Sequence, residues 1–302
     1  MDLQVKVQLS DKEKNAALAI VKECNQVDQT YRIPYLDNNY NDNPNMPAFI
    51  LAFEDEALVG FLSIYADEPH EAEVSIYVAP AYRCQGIAKA LVSEFKKTAK
   101  RYQLINVHYV SETNFLDQHP DFWNEYSTNL EENEIWLEQD SCQFYLEDLS
   151  DIEVSLADLS LISDIANFQS QEFGSTLTCA EKYAREAVLD ETCRLYVLRK
   201  DGRVRASCSV DVSLGTNYLF GLAVEKGYQG QGLGSYLVKY ILNDLHKING
   251  RLCQIVVEVV NTGALRLYQR LGFEKKSEIV YLERKDKKAI VSLTLATLEK
   301  DL

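Results

Sequence analysis

No run in this 302-residue chain approaches the ~20 consecutive apolar residues that a membrane-spanning helix needs, so no membrane partner is expected. The opening stretch, MDLQVKVQLSDKEKN, is mixed and charged and lacks the apolar core of a secretory signal, which makes a cytoplasmic location the expectation. Histidine is scarce: there are four, with no paired metal-ligand spacing. The seven cysteines (Cys24, Cys84, Cys142, Cys179, Cys193, Cys208, Cys253) are scattered, odd in number and without a C-x-x-C pair. Reduced thiols and no metal site follow as expectations. Basic clusters are missing too. Lys and Arg total 31 against 46 Asp and Glu, a net charge of −15, and such a chain repels a nucleic-acid backbone. The acidity speaks to solubility before it speaks to a cationic acceptor.

What remains is an ordinary globular composition, 46% hydrophobic and 25% charged, in a chain long enough for two domains of about 150 residues. Its densest feature is Phe220–Leu242, FGLAVEKGYQGQGLGSYLVKYIL. A short apolar run leads into the turn Gln229-Gly230-Gln231-Gly232-Leu233-Gly234-Ser235, which opens onto apolar residues at helical spacing, Leu233, Leu237, Val238, Ile241 and Leu242. Strand, glycine turn and helix start together suit a phosphate group, because the first N–H groups of a helix have no partners inside it. A tight strand-to-helix connection is the plainer reading of the same glycines.

Sliding the chain by 146 residues places Tyr82-Arg83-Cys84-Gln85-Gly86-Ile87-Ala88 on Tyr228-Gln229-Gly230-Gln231-Gly232-Leu233-Gly234. The same shift lays Val74–Val78 on Phe220–Val224 and Leu58–Ile64 on Val204–Val210. At 147, His108–Asn114 meets Ile255–Asn261. Four matches in one order indicate two copies of one domain, residues 1–150 and 151–302, with the boundary near Leu149–Glu153. In the first copy, strands are expected at Gln4–Gln8, Ala48–Phe53, Leu58–Tyr65, Glu73–Val78, Glu134–Leu137 and Cys142–Leu146, with Ser10 capping a helix. In the second, strands are expected at Ile152–Leu156, Leu195–Arg199, Val204–Val210, Tyr218–Val224, Ile255–Val260, Phe273–Tyr281 and Ala289–Leu295. Helices are expected across Leu159–Phe168 and Thr178–Val188, and Asp201-Gly202 is a hairpin turn. Each copy thus reads as an α+β unit with a mixed, mostly antiparallel sheet flanked by helices.

Two phosphate-binding patterns fail on the turn. A Walker loop needs a Gly-Lys-Ser/Thr end that is missing here. A dinucleotide fingerprint would put Ser235 at its third glycine and needs an acid at a strand end, whereas the nearest, Asp244, falls on the helix. A third pattern fits. Gln229-Gly230-Gln231-Gly232-Leu233-Gly234 and Arg83-Cys84-Gln85-Gly86-Ile87-Ala88 both match Q/R-x-x-G-x-G/A, and Asn261–Phe273 matches N-x-x-A-x-x-L-Y-x-x-x-G-F. On these motifs the chain resembles the GNAT superfamily of N-acetyltransferases, as two tandem GNAT-like domains.

The resemblance implies acetyl-coenzyme A as cosubstrate, no metal, and transfer of an acetyl group to a primary amine by direct attack on the thioester. It implies that residues 229–235 hold the pyrophosphate, that Leu222, Ala223 and Val224 offer backbone groups to the pantetheine arm, and that Asn261 meets that arm or the thioester region. It also implies that two central strands splay to admit the thioester and that Tyr268 protonates the departing thiolate. In the first copy, Arg83, Gln85, Gly86 and Ala88 take the matching cofactor positions. There Asp121 stands in the place of Tyr268, His119-Pro120 interrupts any helix, and no Gly-Phe follows, so residues 151–302 are the expected catalytic copy. Glu258 and Asp211 are candidate bases, and Gln169–Thr178 is a candidate acceptor segment. The acceptor is a small-molecule or peptide amine, and the oligomeric state is open. The alternative is a non-catalytic acyl-coenzyme A sensor.

Overall fold

Ser10 begins the ordered helical structure as the sequence predicts. Its hydroxyl accepts from the Glu13 N–H while the Glu13 carboxylate accepts from the Ser10 N–H, a reciprocal cap for α1 (Asp11–Asp28). The computed structural model describes residues 1–285 apart from Ser150 and Leu214; the expected strand Ala289–Leu295 lies outside the described residues. The chain forms two compact units. Unit 1 comprises Met1–Ile135, Glu258–Val260 and the segment from Ser277 onward; unit 2 comprises Trp136–Val257 and Asn261–Lys276.

Unit 1 contains β1 (Asp2–Lys6), α1, β2 (Phe49–Glu54), β3 (Ala57–Tyr65), β4 (Glu71–Val78), a 3-10 turn at Pro80–Tyr82, α2 (Ile87–Tyr102), β5 (Asn106–Glu112), α3 (Thr113–Gln118), α4 (Phe122–Glu125) and β6 (Tyr126–Thr128). Its sheet order is β1-β2-β3-β4-β5 followed by the chain's last described strand, β13 (Glu274–Arg284), which pairs with β5 from Ile279↔Glu112 to Leu282↔Tyr109. All neighbours are antiparallel except β4 and β5. Alternation along the strands gives the sheet two apolar faces. On one, Phe49, Leu51 and Phe61 meet Ala17, Ile20 and Val21 of α1; on the other, Ile50, Leu62 and Val74 meet Ile87, Leu91 and Phe95 of α2.

Unit 2 repeats the plan with β8 (Ile152–Leu156), a 3-10 turn at Leu159–Leu161, α5 (Ile162–Phe173), α6 (Leu177–Leu189), β9 (Cys193–Lys200), β10 (Arg203–Asp211), β11 (Asn217–Val224), a 3-10 turn at Lys226–Tyr228, α7 (Leu233–Ile248), β12 (Cys253–Glu258) and α8 (Thr262–Arg270). The sheet runs β8-β9-β10-β11-β12 and is completed by β7 (Glu134–Gln139). The last strand of each repeat therefore lies in the unit built mainly from the other repeat. Ile162, Ile165, Phe168 and Ala184 pack on Leu195, Val197 and Val204, while α7 packs on β9, β10 and β11 through a stripe that includes Leu237 and Ile241.

One expected strand is absent. Cys142–Leu146 is irregular, because Asn243 of α7 takes the backbone of Phe144 in both directions: Phe144 N–H donates to Oδ1 (2.7 Å) and Nδ2 donates to the Phe144 carbonyl (2.9 Å). A side-chain amide has replaced the ladder partner that a strand would need.

Candidate active site

In unit 2 the parallel pairing of β11 with β12 ends at Leu219↔Ile255, although β11 runs on to Val224 and β12 to Glu258. The two strands part there. The edge of β11 from Phe220 to Val224 is left without a strand partner on that side, while its other side stays paired to β10. The β10–β11 ladder carries a bulge: Ser207 faces Ala223 and Ser209 faces Phe220, so Gly221 and Leu222 together oppose Cys208. Gly221 makes this possible at φ +60°, a conformation that costs other residues about 1–2 kcal/mol. A glycine inside an apolar strand run was the signal for it.

The glycine turn follows. The Gln229 side-chain amide donates to the Val224 carbonyl (2.9 Å) and that of Gln231 to Gly227 (3.1 Å), which ties the turn back to the strand end. Gly232 caps α7 at φ +85°, and a Cβ built there meets nothing within 4 Å, so the space before the helix is open. The first intrahelical bond runs from Tyr236 N–H to the Gly232 carbonyl. The amides of Leu233, Gly234 and Ser235 therefore have no partner within α7 and sit at its positive end. A Cβ on Gly234 would come within 3.2 Å of Val224 Cγ2, so this position must stay small for α7 to meet the strand.

Asn261 caps α8, its Oδ1 accepting from Ala264 N–H at 3.1 Å; the Asn-x-x-Ala spacing is thus a helix cap, and Nδ2 takes no part in it. Seven residues into the motif, Tyr268 is buried, its ring edge-on to Phe273 with centroids 5.8 Å apart. Among the described residues its hydroxyl has no hydrogen-bond partner. Burial, with a smaller contribution from Cys208, raises its pKa well above the usual phenol range, so the group stays O–H. Burial likewise pushes the Cys208 thiol up to about 12.

Unit 1 rebuilds the turn but not the bulge. Gly86 caps α2 at φ +83°, and Cys84 takes the left-handed place of Gly230. Arg83 Nε donates to the Val78 carbonyl (3.2 Å), as Gln229 does to Val224, while Gln85 reaches the Ala81 carbonyl (3.4 Å) and Ala88 is exposed in the first turn of α2. The β3–β4 ladder, however, runs without interruption from Gly60↔Val78 to Tyr65↔Glu73. Pro120 ends α3 at Gln118 as expected, and Tyr126 is in a strand.

Of the candidate bases, Asp211 accepts from the Ser213 N–H and Glu258 is exposed. Glu258 lines a cavity of about 550 Å³ in unit 1 with Glu73, Glu134, His108 and Tyr281. Asp244 is structural, accepting from the Tyr196 hydroxyl and Arg194. Gln169–Thr178 covers the end of α5, its Gly174 C-cap and the Thr176 cap of α6, and residues 173–178 are exposed. No helix among the described residues is long and apolar enough to cross a membrane.

A family model described as the acetyltransferase (GNAT) family matches residues 15–120 and 162–273. The chain belongs to the GNAT acetyltransferases. Both repeats are GNAT domains. The [ribosomal protein bS18]-alanine N-acetyltransferase of Escherichia coli strain K12 is 32% identical over 80 residues, 26% of this chain and 54% of that protein. That of Salmonella typhimurium strain LT2 is 31% identical over 78 residues. The chain thus spans about half the length of these curated relatives. Among solved structures, a GCN5-related N-acetyltransferase from Sphaerobacter thermophilus shares the fold at a TM-score of 0.68 and 15% identity, covering 93% of this chain and 95% of that one. A tandem GNAT protein from the clavulanic acid biosynthesis pathway does so at 0.68 and 14%, covering 93% and 98%.

Proposed function

We propose that unit 2 transfers an acetyl group from acetyl-coenzyme A to a primary amine, and the observation that carries this is the bulged β11 edge leading directly into the α7 turn. Gln229–Ser235 are the residues that would hold the pyrophosphate, through the amides at the start of α7. The edge of Leu222, Ala223 and Val224 would take the pantetheine arm as an added strand takes its neighbour. Among the described residues the fit to this ligand is good: the edge has no strand partner, a Cβ at Gly230 or Gly232 would meet nothing within 4 Å, and Asn261 Nδ2 makes no hydrogen bond. When bound, acetyl-coenzyme A supplies a thioester carbon for C–N bond formation and a thiolate that leaves as the C–S bond breaks.

Tyr268 is the general acid, donating its hydroxyl proton to the departing sulfur. Burial keeps that proton on the phenol at any working pH, and among the described residues no protein acceptor competes with the sulfur for it. The backbone amides freed at the bulge stabilise negative charge developing on the carbonyl oxygen. The amine gives up its surplus proton to water. The bacterial relatives are named for alanine N-acetylation of ribosomal protein bS18, which makes a peptide N-terminus one acceptor to test, beside small-molecule amines.

The experiment is thiol release from acetyl-coenzyme A against a panel of amines and N-terminal peptides, read alongside binding of the cosubstrate. Release with at least one amine supports the transferase. Tight binding with no release across the panel refutes it in favour of an acyl-coenzyme A sensor.

A further inference from the structure

In unit 1 the strands also part: pairing of β4 with β5 ends at Val74↔Tyr109, leaving Ser75–Val78 and Val110–Glu112 to diverge. The segment from Asp28 to Arg32, which leaves the end of α1, is bonded to both sides of that opening. On the β4 side, Arg32 donates to Ser75 Oγ (2.6 Å), the Tyr77 hydroxyl donates to the Arg32 carbonyl (3.2 Å), and the Arg83 guanidinium makes a two-pronged pair with the Asp28 carboxylate (2.6 and 2.7 Å). On the β5 side, the buried Glu112 carboxylate accepts from the N–H groups of Tyr31 (2.9 Å) and Arg32 (2.8 Å). Beyond it, Asn114 donates to the Gln29 carbonyl (2.6 Å) and Gln118 to the Asp28 carbonyl (2.8 Å).

The matching segment of unit 2, residues 174–178, is exposed, and among the described residues the β11 edge from Phe220 to Val224 has no strand partner toward β12. Asn114 shows the change of use most directly. Its counterpart Asn261 caps a helix, whereas Asn114 is spent on holding the end of α1. The charged partners are costly to separate: removing the half-buried Arg83 leaves the buried Asp28 carboxylate uncompensated. Eight hydrogen bonds to one short segment, several of them charged, make a fixed occupant rather than a passing loop.

We propose that Asp28–Arg32 is a built-in occupant of the strand opening in unit 1, closing that unit to acetyl-coenzyme A, so that each chain carries one cosubstrate site, in unit 2. This replaces the cofactor contacts expected at Arg83, Gln85, Gly86 and Ala88, and it rests on the reading of unit 2 given above. Unit 1 keeps the turn as a fold element and has lost the space for the arm.

The test is the number of coenzyme A molecules bound per chain at saturation, by equilibrium dialysis, with amide hydrogen exchange read on the same samples. One equivalent is expected, with Tyr31 and Arg32 amides protected and unchanged by ligand, while protection rises at residues 229–235. Two equivalents, or ligand-dependent exchange at Tyr31 and Arg32, overturn the closure while leaving unit 2 intact as the transferase. Zero equivalents overturn both readings. A Gly232→Val chain supplies the second check: binding is expected to disappear, and one retained equivalent would locate a site in unit 1 and refute the proposal.

Discussion

Removing one oxygen from Tyr268 separates its chemical role from its packing role. In Tyr268→Phe the ring still fills its place against Phe273, and only the hydroxyl is lost. A positioned general acid contributes roughly 10²–10⁴ in rate, so kcat should fall by that factor, about 3–5 kcal/mol of barrier at 1.36 kcal/mol per tenfold. The effect on stability should be small, because the ring stays in its packed place and the hydroxyl makes no hydrogen bond among the described residues. The variant is therefore expected to melt at about the same temperature as the parent. The assay is thiol release with the best amine from the panel, the dissociation constant of coenzyme A, and a thermal melt. Coenzyme A affinity should hold, because the hydroxyl is needed only as sulfur departs. Tyr126→Phe in unit 1 should leave turnover unchanged. Loss of less than about tenfold, or 1.4 kcal/mol, in Tyr268→Phe would refute the assignment, as would a melting temperature that falls together with the rate.

Leu237→Ala on α7 removes a fully buried side chain and should cost about 2–5 kcal/mol in denaturant unfolding, the range for such cavities; a cost under about 1 kcal/mol would contradict the packing described. Glu134 carries a pH prediction. Burial chiefly raises its pKa, the Tyr281 hydroxyl hydrogen bond and Arg32 oppose this, and Glu258 adds to it. A carboxyl raised on folding holds its proton more tightly in the folded chain, so its contribution to stability falls as pH climbs from about 4.5 through the folded value. Glu134→Gln keeps an oxygen for Tyr281 and removes the buried charge. It should melt higher than the parent at pH 7, with the difference shrinking toward zero at pH 4; a difference that grows on acidification refutes the sign.

Local signals were legible wherever one or two residues decide the backbone. Ser10 with Glu13 marked the start of α1, and Asp201-Gly202 marked a hairpin, both residues adopting positive φ. The two glycine turns were readable because each sits between an apolar run and a helical stripe. Partners distant in sequence were not readable. The alternation in Phe273–Tyr281 marks a strand without saying that it will pair with β5 of unit 1. Cys142–Leu146 has strand-like composition, and only Asn243, some hundred positions on, shows why it forms no ladder. The closure of unit 1 joins Arg83 of the turn motif to Asp28, and the segment after α1 to Glu112; neither carboxylate belongs to a short motif.

The difference between the two repeats condenses onto one position. Near the glycine turns the registers are equivalent, Gly60↔Val78 in unit 1 answering Ala206↔Val224 in unit 2 at the common shift of 146. Farther from the turn unit 2 has slipped by one residue, with no change in chain length, and the slip occurs at Gly221, which answers Ser75. In unit 1, Ser75 pairs regularly with Ser63 and receives the Arg32 guanidinium; in unit 2, Gly221 sits at φ +60° and opens the bulge. Gly221→Ser puts the residue of the closed unit into the open one. A serine held at that φ costs about 1–2 kcal/mol, so β11 either keeps the bulge under strain or straightens to regular pairing. Straightening to the register of unit 1 keeps Ala223 and Val224 in place, moves Tyr218–Phe220 by one register position and reorients the amides at Gly221 and Leu222. The expected outcome is weaker coenzyme A binding together with lost turnover, in a protein whose melting temperature falls by only a few degrees. Gly221→Ala, strained in the same way, should behave alike. If either variant binds coenzyme A as the parent does and keeps its kcat, the bulge is an ornament of the strand and the free edge alone must carry the site.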